Sequence, residues 1–106
     1  MEINAMPKMT NARLILIREL QKGPKRRVDL ALAFYGEARY KGMKAQTSFN
    51  NKLKDGKALG ILEHDPVNHI YTIGEVGKQM LAFAAEHNIS LDVKSEAQIS
   101  YEQKQA

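Results

Sequence analysis

The chain contains no cysteine, which excludes disulfides, thiol catalysis and thiolate zinc sites. It also lacks any long apolar run. Leu14–Ile17 and Met80–Ala85 are typical of its hydrophobic stretches, far short of the roughly 18 residues that a membrane-spanning helix needs. Met1-Glu2-Ile3-Asn4 lacks the basic and apolar regions of a secretory signal. There is no internal repeat and no low-complexity tract. These absences predict a soluble, cytoplasmic protein with no membrane association. At 106 residues, two independent cores, large barrels and doubly wound sheets are excluded.

What is present is an ordinary globular composition, 43% hydrophobic and 26% charged, with an uneven distribution of charge. Residues 1–60 hold 13 basic and 5 acidic side chains, whereas residues 61–106 hold 3 and 7. A chain polarised in this way suits a polyanionic partner better than its net +4 suggests. The competing explanation is a solvated basic face with no partner.

Local patterns give the elements. Thr10 or Asn11 can cap a helix over residues 12–22, with Leu14, Ile17 and Leu20 on one face. Gly23-Pro24 stops it. Lys25–Val28 reads as a short extended piece, after which Asp29 caps a helix from Leu30 to Tyr35 that ends at Gly36. Residues 36–44 form an exposed connector. Ala45–Lys54 reads as a third helix. Ala45, Phe49 and Leu53 share its inner face, while Lys44, Thr47, Asn51 and Lys54 lie opposite, flanked by Ser48 and Asn50. Asp55-Gly56 is expected to weaken or bend this helix.

Ile61–His64 and His69–Ile73 flank Asp65-Pro66-Val67-Asn68, a hairpin pattern. Gly74 opens a closing helix with Val76, Met80, Leu81, Phe83 and Ala84 as its apolar stripe, ending near Asn88. Ile89, Leu91 and Val93 alternate with polar residues as in a strand, and residues 95–106 read as a mobile polar tail. The organisation is thus an N-terminal arm over residues 1–9, a domain over 10–88, and a strand-like segment with tail over 89–106. Phe34, Phe49 and Tyr71 are packing candidates.

Chemistry-bearing motifs are few. His64, Asp65 and His69 across the hairpin offer a metal cluster or an acid–base pair, but spacing fixes no third strong ligand. Gly74-Glu75-Val76-Gly77-Lys78 lacks the Gly-x-x-x-x-Gly-Lys spacing of a phosphate loop. No catalysis, cofactor or metal is expected.

The order of elements from Thr10 to His87 resembles a winged helix-turn-helix domain of bacterial transcriptional-regulator type. Phe49…Leu53…Leu59-Gly60-Ile61-Leu62 resembles the end of a recognition helix running into the first wing strand. Tyr71-Thr72-Ile73-Gly74-Glu75-Val76-Gly77-Lys78…Leu81 is similar to that family's Tyr-x-Leu-Thr-x-x-Gly segment. The chain departs from the pattern in three places. Gly74 replaces a Thr or Ser cap, Gly56 replaces a helical leucine, and residues 63–69 contain no Lys or Arg, so no arginine is expected to reach a minor groove from the wing.

The resemblance implies an α+β, mostly helical fold: a three-helix core, a two-stranded wing hairpin and a closing C-terminal helix. It implies sequence-specific binding of double-stranded DNA by a small transcriptional regulator, a homodimer that acts by occupying an operator. Helix 1 with residues 1–9, or the closing helix with Ile89–Val93, would form the dimer surface. Base contacts are expected from Gln46, Thr47, Asn50, Asn51 and Lys54, because amides, hydroxyls and ammonium groups match base edges. Phosphate contacts are expected from Lys25, Arg26, Arg27, Arg39, Tyr40, Lys41, Lys44, Ser48 and Lys52. The alternative is a winged-helix protein–protein interaction module in a replication or transcription assembly, with the acidic C-terminal half meeting a protein partner.

Overall fold

The computed structural model describes residues 6–105 and has an α+β architecture of five helices and a three-stranded antiparallel sheet. The elements run α1 (Asn11–Gln21), β1 (Lys25–Arg26), α2 (Arg27–Tyr35), α3 (Met43–Leu59), β2 (Leu62–Asp65), β3 (Ile70–Ile73), α4 (Glu75–Glu86) and α5 (Glu96–Gln105). Of the arm expected over residues 1–9, residues 1–5 lie outside the described residues. Met6 and Met9 pack partly buried beside the core.

Helix α1 is central because its apolar residues exceed one face. The Thr10 hydroxyl accepts from the Arg13 amide and caps it. Ile15, Leu16 and Leu20 join one cluster with Leu30, Phe34, Phe49, Leu53 and Tyr71. Leu14 and Ile17 turn to a second cluster with Ile61 and Met80. Covering both sides of α1 buries the whole Leu14–Ile17 run. Each such side chain contributes on the order of 1.5–3 kcal/mol.

Strand β3 is the middle of the sheet, paired with β1 through Lys25 opposite Tyr71 and with β2 through Leu62 opposite Ile73. The turn between β2 and β3 is tied by Asp65, whose carboxylate accepts from the amides of Val67 and Asn68 and from the Asn68 side chain. These bonds hold the Asp65 carboxyl below its ordinary value. Gly60 ends α3 at φ +78°, a left-handed conformation glycine adopts without strain. It places Ile61 against α4, where a Cβ on Gly77 would sit 2.3 Å from the Ile61 carbonyl oxygen.

Four sequence expectations need correction. Helix α2 begins at Arg27 rather than after Asp29. Asp29 lies in its first turn, where a carboxylate complements the positive helix end. Helix α3 does not weaken at Asp55-Gly56 but continues to Leu59. Arg13 of α1 holds the Asp55 carboxylate with two hydrogen bonds of 3.1 Å, and buried Gly56 leaves room for the Leu62 side chain, which would lie 3.0 Å from a Cβ there. Ile89–Val93 is irregular rather than a strand: Arg18 donates to the carbonyls of Leu91 and Val93, at 3.4 and 2.6 Å.

The fourth correction is the tail, which forms α5. Its start is a capping box in which the Ser95 hydroxyl accepts from the Gln98 amide and the Gln98 side chain accepts from the Ser95 amide. Among the described residues, no helix is long and apolar enough to cross a membrane.

Candidate nucleic-acid interface

Helix α3 owes its orientation to its inner face. Ala45, Phe49 and Leu53 are buried, Phe49 completely, and its ring meets Phe34 and Tyr35 of α2 at centroid distances of 5.6 and 6.1 Å. Burying these positions turns Lys44, Thr47, Asn50, Asn51 and Lys54 to solvent, and all five are exposed. From Met43 to Lys54 the helix carries no acid. The carboxylate that follows, Asp55, is paired with Arg13.

The expected base-contacting residues divide into two sets. Thr47, Asn51 and Lys54 form no side-chain hydrogen bond among the described residues and face outward freely. Gln46 and Asn50 lie on the flank toward α2 and are held there by Arg27. The guanidinium donates to the Gln46 side-chain carbonyl at 2.7 Å and, through its other terminal nitrogen, to the Asn50 side-chain carbonyl. It also lies 5.2 Å from the centroid of the Phe49 ring. The Gln46 amide nitrogen donates onward to the carbonyl of Tyr40. Gln46 is therefore a half-buried tie between α2, the connector and α3.

The expected phosphate-contacting residues divide in the same way. Arg26 is paired with Asp29 at 3.0 Å, which raises the guanidinium pKa and lowers that of the carboxyl. Arg39 is paired with Glu96 of α5. Lys52 donates to Ser48 Oγ at 2.7 Å and to the Tyr35 hydroxyl at 3.0 Å, while the Tyr35 hydroxyl donates to Ser48 Oγ at 3.0 Å. The Lys52 ammonium lies 5.5 and 5.9 Å from the Tyr35 and Phe34 ring centroids. Lys41 lies 5.6 Å from the ring centroid of half-buried Tyr40. Among the described residues, Lys25, Arg27, Lys41, Lys44, Lys52 and Lys54 have no carboxylate partner.

A groove of about 910 Å³ runs between α1 and α3. Ala12 and Leu16 contribute to one side, and Met43, Thr47, Asn51 and Lys52 to the other. Met43, at the start of α3, is 85% exposed. Sequence periodicity missed both this groove and the Arg27 fork, because each joins residues distant in the chain.

The hairpin contributes no cation. His64 stacks on Tyr71 at a centroid distance of 4.5 Å, and the Asp65 carboxylate is engaged by its own turn. Among the described residues, no three His, Asp or Glu side chains gather as a metal site would require. No family model, curated protein or solved structure matches the chain.

Proposed function

We propose that this chain is a winged helix-turn-helix domain that binds double-stranded DNA with α3 in the major groove, serving as a small transcriptional regulator that occupies its operator as a homodimer. The observation that carries the reading is the outer face of α3: amides, hydroxyls and cations without an acid from Met43 to Lys54, on a helix whose opposite side is locked into the core. Thr47 and Asn51 supply hydrogen bonds to base edges, and Lys44 and Lys54 neutralise phosphate or read guanine. The β2–β3 hairpin is the wing. Its acids and lack of Lys or Arg assign it no place on the phosphate backbone.

Selection from a random duplex pool tests this reading. The expected result is an enriched site, palindromic if two copies bind together, since paired half-sites mirror the symmetry of a dimer. Absence of duplex binding at low salt overturns it. A protein–protein interaction module is the second reading, favoured by the open groove beside Met43. A partner seated there would be lost on Met43→Asp while duplex binding remained absent throughout.

A further inference from the structure

Resting on the DNA reading above, we infer that Arg27 is a positioning residue that sets which bases Asn50 accepts, instead of a phosphate clamp. A guanidinium carries only N–H donors. Wherever it bonds a side-chain amide, the amide oxygen must face it and the NH₂ must face away. Arg27 makes this contact with both Gln46 and Asn50. In Gln46 the outward NH₂ is taken by the Tyr40 carbonyl, so that residue has no edge left to offer. In Asn50 the NH₂ has no partner among the described residues, and the side chain is exposed. The guanidinium is itself fixed on the face of buried Phe49, so the fork has a rigid base.

An asparagine free to rotate reads adenine with both its atoms, accepting from N6 and donating to N7. Asn50, with its oxygen turned toward Arg27, offers only donors. Donors match the O4 of thymine, the O6 and N7 of guanine and the N7 of adenine. Cytosine presents only an amino donor, and adenine keeps one bond of its usual two because its N6 amino group finds no acceptor. Asn50 therefore favours the keto bases thymine and guanine over cytosine at one position of the site, by about tenfold, the factor that corresponds to one good contact of roughly 1.4 kcal/mol, and gives adenine no two-bond advantage.

The test is base preference at each position of the selected site for the wild type, Arg27→Met and Asn50→Asp. Methionine keeps an unbranched stem beside Phe49 but supplies no donor, so the Asn50 amide is free to turn. Arg27→Met is expected to leave affinity within about threefold and the salt dependence unchanged while abolishing the keto preference. Asn50→Asp presents acceptors only and is expected to invert that preference toward adenine or cytosine. As a change at an exposed position, it stays informative if Arg27→Met fails to fold. A keto preference that survives in Arg27→Met, or an Asn50→Asp variant without inversion, overturns the inference while leaving DNA binding intact. So does loss of affinity on all sequences alike in Arg27→Met with a salt slope shallower by about one, the signature of a phosphate clamp. A wild type that binds no duplex removes the DNA reading and this inference together.

Discussion

The two parts of the chain carry charge of opposite sign, 13 basic against 5 acidic side chains over residues 1–60 and 3 against 7 over residues 61–106. Across β1 and α3, Lys25, Lys44 and Lys54 have no carboxylate partner among the described residues. In the C-terminal part Glu96 is engaged by Arg39, Glu102 by Lys94 and Asp65 by the turn it organises, while Glu63, Glu75, Glu86 and Asp92 have no cation partner among the described residues. Glu102 in turn raises the Lys94 pKa. Net charge alone gives a modest +4. The pairing pattern shows which cations remain available to an external polyanion.

That contrast depends first on the buried side of α3. Phe49→Ala removes a fully buried ring packed on Phe34 and Tyr35 and is expected to cost about 3–5 kcal/mol in denaturant unfolding. A loss below about 1 kcal/mol would mean that Phe49 does not anchor the helix. Next in size is the effect of the free cations. Lys44→Ala with Lys54→Ala is expected to make the log–log salt slope of duplex binding shallower by about two. Glu63→Gln with Asp92→Asn, made in the acidic region, should leave it unchanged. Equal effects of the two double variants would erase the contrast.

Smaller effects sharpen it. Thr10→Ala removes the α1 cap and is expected to cost about 1 kcal/mol in thermal unfolding. Glu96→Gln frees Arg39. Because that pair is exposed, stability should change by less than about 1 kcal/mol, while Arg39 becomes available to phosphate and duplex affinity rises. Unchanged affinity would show that Arg39 lies off the binding face.

The smallest effect concerns acid. The Asp65 carboxyl is held below its unfolded value, so its contribution is present above that unfolded value and is lost as pH falls through the lower folded one. Amide exchange at Val67 and Asn68, corrected for intrinsic rates, should speed up over that acid range in the wild type and be fast throughout in Asp65→Ala.

The elements written in periodicity were legible in the sequence. The run Leu14–Ile17, the spacing of Ala45, Phe49 and Leu53, and the paired apolar stretches around Asp65–Asn68 each forecast an element and its buried side. Features fixed by tertiary partners were not. Asp55-Gly56 has the composition of a helix end, yet a distant arginine and a neighbouring leucine make it helix interior, since tertiary context overrides propensity. Ile89–Val93 alternates like a strand, but two of its carbonyls accept from Arg18. Helix α5 did leave a signal in Ser95-x-x-Gln98, a capping box hidden by the polar composition behind it. Of the candidate site, the solvent-facing side of α3 could be read from spacing. The division between free Thr47, Asn51 and Lys54 and tethered Gln46 and Asn50 could not, because Arg27 stands 19 and 23 residues before the amides it binds.

The most direct measurement of the central claim is a titration of random-sequence duplex with the full chain at several salt concentrations. Binding that weakens with a log–log slope of about −3 or steeper, the signature of at least three or four neutralised phosphates, is the predicted result. A flat salt response, or no association at low salt, would contradict the assignment of α3's outer face to DNA.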